Sequence, residues 1–363
     1  MIAAIEPKIG NEIISYREAL YRTMHNALAV HPHTMIFGQG VDDPKGTFGT
    51  TLGLAEKFGA DRVFDTPLAE EAITGIALGA SLNGIYPINT HIRSDFALLA
   101  MNQIVNLAAK YKYMFGGRFE VPMLIRMVVG RSWGQGAQYS QSLQSLFAHI
   151  PGLTVIMPAS SQSIMETYPY IIGKYNAPVL SLEHHLMYDL NFKVIPIPET
   201  DQSPLTAKLL RTGKDITIVA TSIMVLEALR AADHLARVSH IHCDVIDLNC
   251  ISHIDTAMII SSVKKTGKLL VADTSWQAYG VCAEICRIIC EQAPAALKAP
   301  VVTMGMQPAP CPTTKALEDL YYPNLQTLSD AIAKLATGKP EHGIPLPDEQ
   351  SMADVYKKFT GLF

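Results

Sequence analysis

The first half of the chain alternates short apolar runs with longer segments of helical periodicity. Continuous apolar runs predict buried strands, at 34–37, 85–90, 123–129, 153–157 and 179–182. Apolar residues at helical spacing predict helices, at about 16–29, 69–82, 94–114 and 162–175. Continuous apolar strands that alternate with helices are typical of a parallel sheet covered on both faces. The pattern therefore predicts an α/β fold.

The alternation fades near residue 189, where NFKVIPIPETDQS predicts an extended linker, and then restarts with the strands DITIVATS, CDVIDLN and KLLVADT. The sequence thus predicts an N-terminal arm, two α/β domains of which the second is smaller, and a turn-rich tail. The expected bounds are 1–14 for the arm, 15–188 for the first domain, 189–204 for the linker, 205–337 for the second domain and 338–363 for the tail.

Composition narrows the possible partners. The 363 residues are 48% hydrophobic and 17% charged, which suits two cores and large buried subunit interfaces. A net charge of −4 and the lack of a Lys/Arg cluster argue against nucleic acid. The uncharged stretch 72–92 holds three glycines and Pro87, which favours a buried helix and strand over a membrane span.

The expected location is the cytoplasm. The start MIAAIEPKIG lacks the basic and apolar regions of a secretory signal, and all six cysteines lie after residue 240, unlike a disulfide framework. Cys282, Cys286 and Cys290 would line one stripe of a helix, so a metal site is one interpretation of this spacing. Ile285 and Ile289 share that stripe, which favours a packed helix face, and no metal ligand is assigned.

Several segments carry a family resemblance in their order along the chain. They are FDTPLAEEAITGIALGA (64–80), NQIVNLAAKYKYM (102–114), AQYSQS (137–142), HIPGLTV (149–155), LEHHLMY (182–188) and WQAYGVCAEI (276–285). Together they resemble the β subunit of the first component of pyruvate and branched-chain 2-oxo acid dehydrogenase complexes. The resemblance implies a pyrimidine-type parallel-sheet domain that binds thiamine diphosphate and a smaller C-terminal domain of the transketolase type.

Glu70 matches the glutamate of the family motif D-T-P-x-x-E. In such enzymes this carboxyl group binds a ring nitrogen of the cofactor's aminopyrimidine and favours the imino form, which helps remove the thiazolium proton. The resemblance therefore implies a catalytic and cofactor-binding role for Glu70, with Leu68 of the same motif beside the cofactor. Judged from local sequence alone, Glu70 would be an ordinary acidic residue in the first turn of a helix.

An aromatic ring usually packs against the aminopyrimidine in this family. Phe96 in THIRSDF (90–96) is the nearest candidate, and it would otherwise be a core residue at the start of a helix. His91 and Arg93 stand where the family carries other residues, aromatic ones included, so both are placed in the substrate and acceptor region.

The chain lacks the Gly-Asp-Gly and following Asn that hold the magnesium ion and the diphosphate in related enzymes. The resemblance implies that an α-type subunit supplies this half of the site. The expected assembly is therefore α2β2, with thiamine diphosphate and Mg²⁺ at the interface and a 2-oxo acid as substrate. A lipoyl acyltransferase is a further possible partner.

Tyr139 in AQYSQ stands where 2-oxo acid dehydrogenase subunits usually carry a histidine that serves acyl transfer to the lipoyl group. Tyrosine is a weaker base and a larger side chain, so the acceptor step is expected to differ. Arg131, in the glycine-punctuated loop 130–136 after a predicted strand, is a candidate clamp for a substrate carboxylate, although loop arginines are commonly only solvated.

Three functions stay open at this point. The leading hypothesis is a β-type subunit of an enzyme that decarboxylates a 2-oxo acid and transfers the resulting acyl or enamine unit. The second is a split transketolase-like or acyloin-forming carboligase without a lipoyl acceptor, which Tyr139 favours. The third is a regulatory subunit that has lost catalysis, against which Glu70 argues.

Overall fold

Buried strands and amphipathic helices build two units, which are described here in turn. A computed structural model describes residues 2–5, 11–131, 134–197, 202–339 and 343–348. The first unit holds the described residues up to 129 together with 146–205, and the second holds 130–145 with the described residues from 206 onward.

The first unit is built around a six-stranded, all-parallel sheet. The strands of the whole unit are β1 (Glu12–Ser15), β2 (Thr34–Gly38), β3 (Val63–Asp65), β4 (Tyr86–His91), β5 (Met123–Val129), β6 (Thr154–Ile156), β7 (Pro178–His184) and β8 (Asn191–Val194). The sheet order is β3-β2-β4-β5-β7-β6, while β1 and β8 pair antiparallel as a separate ribbon. Every residue of β5 and β7 is buried, as expected for strands covered on both faces.

Helices cover this sheet. They are α1 (Tyr16–Val30), α2 (Leu54–Phe58), α3 (Glu70–Leu82), α4 (Tyr111–Met114), α5 (Gln144–Ala148), which begins at the unit boundary, and α6 (Ser161–Gly173). Ser15 caps α1 by accepting from Glu18 N, and Ser160 forms a capping box with Ser163 at the start of α6. The predicted strand Met123–Val129 and the helix predicted at 69–82 are confirmed.

The second unit contains a five-stranded sheet with one antiparallel edge. Its strands are β9 (Lys208–Arg211), β10 (Ile216–Ala220), β11 (Cys243–Asp247), β12 (Leu269–Trp276) and β13 (Val302–Met306), in the order β13-β12-β10-β11-β9. Its helices are α7 (Ile223–Ser239), α8 (Thr256–Thr266), α9 (Val281–Gln292), α10 (Lys315–Tyr321) and α11 (Leu325–Thr337). Strand β9 is antiparallel to β11, and the other pairs are parallel. The predicted α/β architecture of this half is confirmed.

The structure differs from the sequence analysis in three places. Residues 94–114 form a 3-10 helix (Phe96–Ala100), a π-helix (Asn102–Ala108) and α4 in place of one continuous helix. The expected linker contains β8, which pairs with β1 from the expected arm and its border. Segment 130–145 belongs to the second unit. Within that unit Arg131 donates to the Glu318 oxygen and Gln144 donates to Asp273. Most of the expected tail lies outside the described residues.

A buried ion pair crosses the middle of the first sheet. Arg126 on β5 donates from Nε to Glu183 Oε1 (2.7 Å) and from Nη2 to Oε2 (2.8 Å), and both side chains are 1% exposed. Tyr168 and Tyr188 donate to the same carboxylate at 2.6 and 3.0 Å. Burial disfavours a charged guanidinium, but the Glu183 carboxylate outweighs it and raises the pKa of Arg126. The guanidinium of Arg126 therefore stays charged inside the core.

Replacing Arg126 by Met should unfold the isolated chain at lower urea concentration. The change leaves the Glu183 carboxylate buried without its counter-ion, and removing one partner of such a pair costs about 3–5 kcal/mol. Urea titration followed by circular dichroism measures this loss. Lys315→Met, which breaks the exposed ion pair with Asp319, is the control and should change the midpoint little. Equal midpoints for the two variants would contradict the prediction.

Candidate active site

The carboxyl ends of β2 and β4 meet where the first sheet reverses its strand order. Strand β2 pairs with β3 on one side and with β4 on the other. The chain therefore runs from β2 to β3 in one direction and then crosses to β4 on the opposite side of β2. Parallel α/β sheets bind ligands at such a switch point, outside the carboxyl ends of the strands. Gln39 follows β2 at this edge, and His91 is the last residue of β4.

Gly38 permits a close approach between the two strand ends. It has φ of 142°, and a Cβ atom there would lie 2.2 Å from the backbone oxygen of Thr90. Only glycine fits such a contact without displacing the backbone. The next residue, Gln39, donates its backbone N–H to the same Thr90 oxygen at 3.1 Å. This contact fixes the direction in which the Gln39 side chain leaves the strand.

Glu70 begins α3 and is held by Gln39. The Gln39 side chain donates from Nε2 to Glu70 Oε1 at 2.9 Å, and each residue is 9% exposed. A carboxyl group in the first turn of a helix is also favoured by the helix dipole. The sequence analysis singled out Glu70 but not Gln39. The signal was a polar residue between two glycines, Gly38 and Gly40, directly after a predicted strand.

His91 lies in the electrostatic field of Glu70 and is itself 3% exposed. Its Nε2 is 3.2 Å from Thr74 Oγ1 and 3.3 Å from Asn89 Nδ2. An amide nitrogen can only donate, so Nε2 of the neutral ring accepts and the ring proton lies on Nδ1. Among the described residues, Nδ1 has no hydrogen-bond partner. The edge therefore contains a buried donor that the described residues leave unsatisfied.

Burial sets the charge state of His91. It lowers the pKa of the imidazole to about 4, although the neighbouring Glu70 carboxylate opposes the shift. The ring is therefore neutral near pH 7. Thr74 and Asn89 were not identified from sequence, because a buried Thr in a helix and a buried Asn in a strand leave no local pattern.

Leu68 and Phe96, expected near the cofactor, and Arg93, expected in the substrate and acceptor region, lie in different surroundings. Leu68 is 82% exposed and so packs little against this chain, while Phe96 is half-buried at the start of its 3-10 helix. Arg93 is buried, and its Nη1 lies 3.4 Å from His185 Nδ1. That Nδ1 is 3.0 Å from the oxygen of Val129, to which it donates. Arg93 thus faces a ring held by the backbone of the first sheet.

Of the four residues expected near substrate or acceptor, Arg131 and Tyr139 belong to the second unit. Arg131 is 6% exposed, its guanidinium lies 4.6 Å from the Tyr322 ring centre, and Nη1 donates to the Glu318 oxygen at 3.5 Å. This burial differs from the solvated loop arginine weighed from the sequence. Tyr139 is 43% exposed. Ser132 and Trp133 of the glycine-punctuated loop lie outside the described residues.

Known proteins are similar to this chain over most of its length. Residues 12–189 match the transketolase pyrimidine-binding domain, and residues 205–328 match the transketolase C-terminal domain. The pyruvate dehydrogenase E1 component subunit beta of Rickettsia felis is 37% identical over 325 residues, which cover 89% of this chain and 98% of that protein. The mitochondrial subunit beta-1 of Arabidopsis thaliana is 35% identical, with 90% and 91% covered. The chain belongs to the E1 β-subunit family.

Other relatives extend the comparison. The β subunit of acetoin:2,6-dichlorophenolindophenol oxidoreductase from Cupriavidus necator is 37% identical, with 84% of this chain and 90% of that protein covered. A split-gene transketolase solved as an inactive β4 tetramer has a TM-score of 0.71 at 22% identity, over 89% of this chain and 98% of that one. The latter shows the fold alone. The predicted family and fold class are confirmed.

E1 β subunits are components of thiamine-diphosphate-dependent enzymes, and this chain shares their two domains.

None of the described helices is both long and apolar enough to cross a membrane. Within the described part of the chain, no group of three or more His, Cys, Asp or Glu residues is placed to hold a metal ion. Cys282 is buried, Cys286 is half-buried and Cys290 is exposed, so the stripe on α9 runs from core to solvent.

The neutral state of His91 predicts a pH dependence of stability for this E1 β-type chain. The folded-state pKa of about 4 lies below the ordinary value of 6.5, so the unfolded chain binds the extra proton between these values. The free energy of unfolding should therefore fall as pH drops from 6.5 toward 4, by about 1.4 kcal/mol per pH unit from this group.

Urea unfolding at several pH values measures this slope. His91→Phe removes the titrating group and should flatten the curve in that window, whereas His149→Asn, at an exposed position, should leave the slope unchanged. If both variants keep the full slope, the acid sensitivity comes from other groups.

Proposed function

We propose that the chain is the catalytic β-type subunit of a heteromeric thiamine-diphosphate-dependent enzyme that decarboxylates a 2-oxo acid and passes the acyl unit to an acceptor. The observation that carries this proposal is the anchored Glu70 carboxyl group at the switch point of the pyrimidine-binding domain. The bound cofactor would supply the carbanion-stabilising chemistry, and the residues of this chain would place it and manage one proton.

The polar groups at this edge fit an aminopyrimidine. Glu70 would offer its carboxyl group to a ring nitrogen, and Gln39 would keep that group in position by its bond to Oε1. The unsatisfied Nδ1–H of His91 would find an acceptor on a polar heterocycle, which removes the cost of a buried unpaired donor. The exposed Leu68 and the half-buried Phe96 would contribute apolar contact. These residues therefore suit the pyrimidine end of the cofactor.

An α-type partner would complete the site. The sequence has no Gly-Asp-Gly with a following Asn, so the diphosphate and Mg²⁺ would be held mainly by that partner in an α2β2 assembly. Leu68, two residues before α3, and Ile76 on α3 are 82% and 59% exposed, which suits burial by another subunit. A lipoyl acyltransferase partner and a cytoplasmic location stay predictions.

A second candidate function is an acyloin-processing or carboligating enzyme without a lipoyl acceptor. Two observations favour it: Tyr139 replaces the histidine expected for lipoyl transfer, and a relative of comparable identity is named for acetoin, an acyloin. A tyrosine hydroxyl can donate a hydrogen bond to a carbonyl acceptor but is a poor base near neutral pH. The acceptor therefore distinguishes the two functions, because both begin with the same cofactor chemistry.

Glu70→Gln should lower turnover of the complex reconstituted with its α-type partner by about 10²- to 10⁴-fold, the usual range for loss of a general acid–base group. Turnover is measured with pyruvate as dye reduction, and calorimetry records binding of thiamine diphosphate with Mg²⁺. Glu71→Gln is the matched control, since Glu71 is exposed and bonds to Gln103. Unchanged turnover in Glu70→Gln, or in Glu70→Ala, would favour the regulatory-subunit hypothesis.

Tyr139→His should increase acyl transfer from pyruvate to oxidised lipoamide, because imidazole restores a base with a pKa near neutrality. Product analysis with pyruvate plus acetaldehyde, without a lipoyl protein, tests the carboligase alternative in the unmodified complex. Tyr139→Phe keeps the ring and removes the hydroxyl, so it should gain no lipoamide activity. Efficient lipoamide transfer by the unmodified complex, with no condensation product, would exclude the second candidate.

A further inference from the structure

The second sheet has its own switch point, between β10 and β12. Strand β10 pairs with β11 on one side and β12 on the other, so the carboxyl ends of β10 and β12 border the place where such sheets bind ligands. Thr221 follows β10 directly, and Asp273 and Thr274 lie near the end of β12. All three residues are buried.

Asp273 holds a fully buried carboxylate at this edge. Its Oδ1 accepts from Thr221 Oγ1 (2.5 Å), from Gln144 Nε2 (2.9 Å) and from the backbone N–H of Thr274 (2.8 Å). Burial raises the pKa of this carboxyl group, against the effect of the donors. A buried carboxylate needs such donors because its desolvation is costly. Gln144 is the one donor among them that comes from outside the sheet and its immediate ends.

Segment 140–144 fills the edge with a closed ring of hydrogen bonds. Gln144 Nε2 also donates to Thr274 Oγ1 (3.1 Å), which can donate to Ser142 Oγ (3.0 Å), and Ser142 Oγ donates back to Gln144 Oε1 (2.7 Å). Ser275 Oγ adds a bond to the Ser142 oxygen at 2.8 Å. Gln144 is fully buried and Ser142 is 4% exposed. Segment 140–144 thus supplies the hydrogen bonds at this edge, while Oδ2 of Asp273 has no partner among the described residues.

Tyr139 lies between this ring and a second set of contacts. Tyr322 donates its hydroxyl to the Ser140 oxygen at 3.1 Å, and Gly136, with φ of 68°, approaches Thr313 so closely that a Cβ atom would lie 2.8 Å from its Oγ1. Between these points only residues 137–139 are exposed. The backbone on both sides of Tyr139 is therefore anchored to the second unit.

We propose that Gln144 and Asp273 are positioning residues: the switch point of the C-terminal domain binds segment 140–144 as an internal ligand and thereby fixes Tyr139 for the acceptor step. The inference rests on the proposed function for the role of Tyr139. A displacement of about 1 Å at a reacting group can cost about 100-fold in rate, so hydrogen bonds remote from the reacting atoms can control transfer.

The test compares two reactions of the complex reconstituted with its α-type partner. Gln144→Met removes both donors at similar volume, and Gln144→Glu places a second carboxylate against Asp273. Each should lower transfer from pyruvate to oxidised lipoamide or acetaldehyde by about 10- to 100-fold, while dye reduction stays within about twofold. Gln292→Met and Gln292→Glu, at the exposed end of α9, are the matched controls and should change neither rate.

A charge-relieving double variant sharpens the comparison. Asp273→Asn keeps an acceptor oxygen and should restore part of the transfer lost in Gln144→Glu, since the facing like charges are gone. Combining Gln144→Met with Tyr139→Phe should cost little more than the larger single effect, because both act on one step. Equal loss of dye reduction and transfer would indicate a merely structural role, and unchanged transfer would likewise overturn the inference.

Hydrogen exchange supplies a readout that does not depend on activity. Gln144→Met should raise amide exchange in residues 136–143 while β10 and β11 stay protected; unchanged exchange there overturns the anchoring. If the unmodified complex reduces no dye and transfers no acyl unit, the proposed function fails, and with it the role in transfer. The exchange result then decides separately whether the segment is anchored.

Discussion

The first unit depends on the ion pair between Arg126 and Glu183, which lies between neighbouring central strands and is closed to solvent. Two charges can be buried there only because the tyrosines donate to the carboxylate and Thr50 accepts from Arg126 Nη2 at 3.1 Å. Segment 182–188 is held in place by the same ion pair, because it supplies both the Glu183 carboxylate and Tyr188. The ion pair also explains a charged residue inside otherwise apolar strands. The register pairs Arg126 with Ser181, so Glu183 lies two residues further along β7 on the same face, within reach of the guanidinium.

The same topological rule has opposite results in the two units. Each sheet reverses its order at its first parallel strand, β2 or β10, and each reversal gathers polar side chains at a carboxyl edge. In the first unit the described residues leave a buried imidazole donor unsatisfied near an anchored carboxyl group. In the second, Gln144 and Ser142 complete a ring of donors and acceptors beside Oδ1 of Asp273, while Oδ2 has no partner among the described residues. The first edge thus offers a donor, whereas segment 140–144 supplies the donors and acceptors at the second.

Strand composition made most of the fold predictable, because buried parallel strands are continuous apolar runs. Met123–Val129 could be read directly, and the DTPLAEE motif located the start of α3. Short edge strands such as β9 and β13 could not, since they are brief and only partly buried. Residues 94–114 have an apolar periodicity that fits several helical geometries equally well. The sequence therefore could not predict the π-helix at Asn102–Ala108. Gln39 and Gln144 join their sites through tertiary contacts. Gln39 carries no local sequence signal beyond its position after a strand, and Gln144 none beyond its position just after the segment AQYSQS.

His91 and Tyr139, the two positions expected from the sequence to depart from the family pattern in the substrate region, differ in their surroundings. His91 is enclosed and its charge is suppressed by burial, so it can act near neutral pH only as a hydrogen-bonding and packing group. Tyr139 is exposed at the tip of a segment whose flanks are fixed, so a change of residue there alters chemistry without altering the fold around it. Glu70, by contrast, is buried and held by Gln39, so the surrounding structure constrains the residue at position 70 more than the residue at position 139. Under the proposed function, divergence of the acceptor step is thus physically easier than divergence of the proton-handling step.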